Sequence, residues 1–203
     1  MIDLYSGTPG SGKSLHCAQV VIGNLNIGHP VICNFPINKN AVRKSGKFKG
    51  QFDYCPNDKL TPEYLVNFAR EYWKGKTVKE EHILLVIDEC QLMFNARDWG
   101  KKGRDKWLEF FTQHRKLGFH VILIAQMDGM LDKQIRGLIE NEYIHRKLTN
   151  YGIKGYFLSA LMLSPHLHVA VKVWYPMKEK VGQDFFRYKK RLSSLYDSYL
   201  TFE

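Results

Sequence analysis

Gly7-Thr8-Pro9-Gly10-Ser11-Gly12-Lys13-Ser14, residues 7–14, is the stretch on which the fold turns. It satisfies G-x-x-x-x-G-K-[ST]. Its glycines admit torsions and close approaches that a side chain forbids, so backbone N–H groups can turn inward around a β-phosphate. Lys13 supplies a positive charge to the β- and γ-phosphates of ATP, and the Ser14 hydroxyl suits Mg²⁺. The flanks agree with this reading. Residues 2–6 are apolar and read as a strand. Beyond the loop, Leu15, Ala18, Val21, Ile22 and Leu25 recur at helical spacing until Gly28, His29 and Pro30 end the pattern. A strand, a Gly-rich turn and a helix aimed N-terminus first at the anion are the parts such a site needs.

A second acidic element lies further along. Residues 83–87 are five aliphatic residues in a row, as expected of a strand buried on both faces of a parallel sheet. Asp88 and Glu89 follow, which places carboxylates at the carboxyl edge, where open α/β sheets bind ligands. Asp88 has the chemistry to hold Mg²⁺, and Glu89 to polarise an attacking water as general base. Residues 120–125 form another apolar strand, ending in Gln126. That amide either reaches the γ-phosphate or the water, or satisfies loop backbone. The fold class that follows is α/β: a RecA-like P-loop NTPase with a mostly parallel central sheet.

The remainder divides unevenly. Residues 1–150 carry the strand and helix alternation of the core. Residues 151–203 read as a β-rich C-terminal extension of the same domain, with alternation over 169–175 and an aromatic, basic stretch at 185–191. The chain has 203 residues, 30 Lys+Arg against 20 Asp+Glu, and a net charge of +10. Its 44% hydrophobic content excludes a disordered or collagen-like chain. The positive excess favours an anionic partner: nucleotide, nucleic acid or an acidic membrane surface. No stretch approaches the ~18 apolar residues of a spanning helix, and no secretory leader opens the sequence. Cys17, Cys33, Cys55 and Cys90 are widely spaced, as reduced structural thiols are. Residues 39–50 are basic and contain two glycines, which suggests an exposed loop or hairpin. Residues 39–49, with Phe48, are either a DNA contact or a solvated loop. Residues 185–191 face nucleic acid or anionic lipid, or simply pack.

The expected helix over residues 104–117 starts near the carboxyl edge and runs away from it, so Arg115 falls at its far end. The returning strand spans about 20 Å, which removes Arg115 from the nucleotide of its own chain. It either serves a neighbouring subunit as an arginine finger or complements the helix C-terminus. Arg97 and Arg104 lie nearer the ATP edge.

At this point the sequence resembles the zonula occludens toxin (Zot) family, the gene I-type assembly proteins of filamentous phages. The matching segments are GTPGSGKS at residues 7–14, VICNFPI at 31–37, VIDECQLMFNAR at 86–97, QHRKLGFHVILIAQ at 113–126 and LDKQIRGLIENEYIHRKL at 131–148. Lys116, His120 and Ala125 depart from the usual pattern without removing a group that ATP chemistry needs. The resemblance implies an ATP-hydrolysing motor at the cytoplasmic face of the bacterial inner membrane. It implies a homo-oligomeric ring of hexameric size. The implied partners are phage single-stranded DNA, coat protein and other phage assembly proteins, with a membrane-spanning segment that this chain lacks. Nothing in these residues supports a toxin activity. Two other readings fit the motifs. One is a P-loop kinase for a small molecule, with residues 98–105 as its lid. The other is a binding module that uses nucleotide only to hold a ring together.

Overall fold

The computed structural model describes residues 1–42, 47–97, 103–148 and 167–195. Parts of three sequence expectations lie outside them: residues 43–46 of the basic stretch, 98–102 of the lid candidate, and 151–166 and 196–203 of the C-terminal extension. Chain order begins with β1 (Ile2–Ser6), α1 (Lys13–Ile27), β2 (Val31–Cys33), α2 (Lys39–Val42), β3 (Phe52–Tyr54) and α3 (Pro62–Trp73). It continues with β4 (Ile83–Ile87), a 3-10 turn at Cys90–Leu92, α4 (Arg104–Gln113), β5 (Phe119–Ile124), α5 (Lys133–Arg136) and β6 (Asn141–Lys147). A second 3-10 turn at Asp128–Met130, between β5 and α5, together with β7 (Leu167–Trp174), β8 (Glu179–Arg187) and α6 (Lys190–Ser193), completes the described elements.

The strands form one sheet in the order β3-β2-β4-β5-β1-β6-β7-β8. Every pairing from β3 to β6 is parallel, and β7 and β8 add antiparallel strands beyond β6. The architecture is therefore α/β, with a mostly parallel centre and a β-rich C-terminal part.

The two-period of a strand sorts its side chains to opposite faces. Ile83, Leu85 and Ile87 enter the core shared with α3 and α4, while Leu84 and Val86 enter the core beneath α1. β1 divides likewise, Ile2 and Leu4 to one side and Tyr5 to the other. All of β4 is buried, which is why it carries no polar residue until Asp88. Each such side chain contributes about 1.5–3 kcal/mol on burial. Thr61 caps α3 by accepting a hydrogen bond from the Tyr64 N–H at 3.1 Å, with Pro62 in the first turn.

Some sequence expectations are corrected. The helix expected over 104–117 stops at Gln113, and residues 114–118 form turns leading into β5. The basic stretch expected as a loop opens with the short helix α2. Phe48, set aside for base stacking, is partly buried against the core beneath α1. β3 was not expected at all: at three residues it is too short to show a periodicity. The four cysteines are all buried and unpaired, and burial pushes the thiols of Cys17, Cys33 and Cys90 upward. Among the described residues, no helix is long and apolar enough to cross a membrane.

Candidate nucleotide site

Register brings the sequence motifs to one edge. Tyr5 of β1 lies opposite Ile124 of β5, and Leu123 of β5 opposite Ile87 of β4. The Gly-rich loop, Gln126 and the Asp88-Glu89 pair thus leave three neighbouring strands at the same end. β5 stands between the other two, so Asp88 is two strand spacings, about 10 Å, from the loop strand. Gln126 joins the loop directly: its carbonyl accepts the Gly7 N–H at 3.1 Å.

The loop requires glycine at two positions for steric reasons. A Cβ on Gly7 (φ +140°) would lie 2.5 Å from the His145 carbonyl oxygen and 2.7 Å from Ser11 Oγ. One on Gly12 (φ +99°) would lie 2.8 Å from His168 Nδ1. Thr8, Pro9 and Gly10 are exposed at the tip, while Ser11 is buried and its hydroxyl oxygen has no hydrogen-bond partner among the described residues. Gly12 caps α1, so Lys13 and Ser14 open its first turn. Lys13 Nζ donates to the carbonyls of Gly7 (2.6 Å) and Thr8 (3.3 Å). Burial lowers the Lys13 pKa, and the carboxylates of Asp88 and Glu89 oppose that shift. The ammonium group and the two acids therefore share one electrostatic site.

A residue that the motifs did not reveal holds Asp88. Asn34, just past β2, is buried. Its Oδ1 accepts the Asp88 N–H at 2.7 Å, and its Nδ2 donates to the Asp88 carbonyl at 2.9 Å and to Asn57 Oδ1 at 2.8 Å. The amide side chain thereby extends the β2–β4 ladder by one step. Asp88 Oδ1 in turn accepts the Glu89 N–H at 2.8 Å. Glu89 adopts a left-handed backbone (φ 46°, ψ 42°), a costly conformation for a residue with a side chain, and Gln91 Nε2 donates to its carboxylate. Asn34 lies within the VICNFPI segment, but its pairing with a residue 54 positions away has no local signature.

The remaining candidates are dispersed. Gln126 is exposed and, with Ser6, Gly7, Thr8, Glu142 and Arg146, lines a cavity of about 390 Å³. Arg115 is at the opposite edge of the sheet, where its Nη2 is 2.5 Å from Glu140 Oε2, beside the amino terminus. Arg104 pairs with Asp132 at 2.7 Å, and Arg97 is exposed. Lys13, Ser14, Asp88 and Glu89 suit a metal-bound nucleotide: hard oxygen donors for Mg²⁺, one cation for phosphate, and a loop that only glycine can shape.

Beneath the loop, on the α1 face, lies a cluster of rings that the sequence reading did not anticipate. His16, His145 and His168 are buried with Tyr5 and Phe186, and the half-buried Tyr143 packs beside them. Burial pushes the His145 pKa down to about 3, assisted by His16 and Lys13.

Comparison with known proteins places these features. The zonular occludens toxin (Zot) family profile matches residues 1–202. The gene 1 protein of Enterobacteria phage f1 is 38% identical over 176 residues, covering 82% of this chain and 49% of that protein. The chain spans 41% to 49% of the length of that relative and of the gene 1 proteins of phages I2-2 and IKe. The N-terminal domain of zonular occludens toxin from Neisseria meningitidis superimposes with a TM-score of 0.55 at 19% identity, over 97% of this chain and 98% of that one. The genome packaging NTPase B204 of Sulfolobus turreted icosahedral virus 2, in complex with ATP-gammaS, superimposes with a TM-score of 0.52 at 14% identity, over 92% and 96%. The α/β fold with its mostly parallel central sheet is thus shared with these two solved structures.

Proposed function

The chain belongs to the Zot family, and from that premise we propose that it is a Mg²⁺-dependent ATPase that powers filamentous phage assembly and DNA export through the bacterial inner membrane. The observation that carries this reading is the strand register that brings the Gly-rich loop after β1 and the Asp88-Glu89 pair after β4 to the same end of the sheet. The loop amides and Lys13 hold the β- and γ-phosphates. Ser14 and Asp88 hold Mg²⁺, which when bound offsets phosphate charge. Glu89 orients a water and takes its proton as the oxygen attacks the γ-phosphorus. The bond to the bridging oxygen breaks, leaving ADP and phosphate. Asn34 fixes the backbone from which both acids project.

The same proposal includes a homo-oligomeric ring, with a hexamer as the expected size, and Arg115 serving the site of a neighbouring subunit. Its place at the edge away from its own Gly-rich loop supports that role. It also includes phage single-stranded DNA, coat protein and other assembly proteins as partners, at the cytoplasmic face of the inner membrane. Residues 1–150 form the motor core and 151–203 its extension, with membrane attachment through a segment outside these residues. The greater length of the phage relatives supports this last point.

The test is release of inorganic phosphate from ATP and Mg²⁺ with no added acceptor, which a small-molecule kinase would not give. Glu89→Gln is expected to retain ATP binding while turnover falls by roughly 10²–10⁴-fold. Unchanged turnover in that variant overturns the assignment of Glu89. Turnover that ignores single-stranded DNA across a salt series overturns the DNA contact.

A further inference from the structure

A loop that turns its N–H groups inward around an anion must turn carbonyls outward. Outward carbonyls that meet protein rather than water need donors. In this chain the donors for the two buried ends of the loop are histidines from distant strands. Ser6 O, at the loop entrance, faces His145 Nδ1 at 3.1 Å, and Ser11 O, at the exit, faces His168 Nδ1 at 3.0 Å. A carbonyl oxygen only accepts, so both Nδ1 atoms carry the proton. His145 Nε2 is then an acceptor, and it accepts the His16 Nδ1–H at 2.9 Å. Stacking continues the chain of rings: His168 lies on Phe186 (5.6 Å, 15°) and Phe186 on His16 (5.0 Å, 26°). His168 and Phe186 face each other across the β7–β8 pairing. Both press on Gly12, where an added Cβ would be 2.8 Å from His168 Nδ1 and 3.1 Å from Phe186 Cε2.

We infer that His168 is a positioning residue for the phosphate loop, holding the Ser11 carbonyl outward so that the following amides face the nucleotide. Phe186 and the His16–His145 pair fix the ring from behind. The strands after residue 166 therefore form a wall of the nucleotide site. This inference rests on the nucleotide reading proposed above.

The experiment measures the Kd of ATP with Mg²⁺ for the wild type, His168→Phe and His168→Asn, each with its thermal unfolding midpoint. Phenylalanine keeps the stacking and removes the donor, so Kd is expected to rise about tenfold or more. Asparagine places an N–H near the position of Nδ1 and is expected to recover most of that loss, even though it packs less well. A residue important only for packing would show the reverse order, which would overturn the inference, as would a Phe variant within twofold of wild type. A second measurement needs no variant. In wild-type protein with ¹⁵N-labelled histidine, the His168 ring-nitrogen signals are expected to shift when ATP and Mg²⁺ are added, and an unmoved signal overturns the inference. If the wild type itself binds no ATP, the nucleotide reading fails instead.

Discussion

Acid should destabilise this fold through His145, and the size of the effect follows from its surroundings. The ring is 1% exposed. It donates to Ser6 O, accepts from His16, and has Lys13 of α1 close enough to disfavour a positive charge. Its pKa falls from an ordinary 6.5 to about 3. Below pH 6.5 the unfolded chain takes up a proton there and the native state does not. The stability linked to this group is therefore present above pH 6.5 and is lost as pH falls toward 3. At about 1.4 kcal/mol per pH unit, and with the unfolded imidazole already half protonated at pH 6.5, the step from pH 6.5 to 4.5 removes about 2 kcal/mol, a substantial part of a domain's ~5–15 kcal/mol. The assay is urea unfolding of the wild type and His145→Asn at pH 6.5, 5.5 and 4.5. Asparagine retains a donor for Ser6 O and does not titrate. It should start less stable at pH 6.5, because His16 loses its acceptor, and should then lose about 2 kcal/mol less than wild type over the range. Parallel losses in the two proteins would refute the reasoning, since carboxylates and the other histidines are common to both.

Further outcomes are expected. Asn34→Ala leaves the Asp88 N–H and C=O without their side-chain partners, at a cost of about 2–4 kcal/mol in denaturant unfolding. Gly12→Ala combines a positive φ with a clash against His168, so both its melting temperature and its ATP affinity should fall, by a few kcal/mol in stability. Arg115→Ala removes a half-exposed pair with Glu140 and should shift stability by less than ~1 kcal/mol. A large loss of turnover in mixtures of this variant with wild type would then assign Arg115 to the neighbouring site.

The parts legible in sequence were those with a local or periodic cause. The Gly-rich loop announces itself because its pattern is carried by consecutive residues. The five aliphatics of β4 announce a strand buried on both faces, and Asp88-Glu89 its edge. Thr61-Pro62 marks a helix start because a cap acts within one turn. Elements without such a signal were missed or misplaced. β3 has three residues, and the end of α4 is set by how residues 114–118 turn into β5. Phe48 was offered to solvent because its neighbours are basic, yet it packs on the core.

By itself, the sequence determined the class of fold and marked the Gly-rich loop and the Asp88-Glu89 pair as the candidate site, since short-range backbone chemistry and side-chain type suffice for both. Only the tertiary structure decided what holds those groups in place. Asn34 reaches Asp88 across 54 residues, and His168 reaches Ser11 across 157. A polar side chain in a strand reads the same whether it meets water or a distant carbonyl. Strand order and register alone determine which of these it meets.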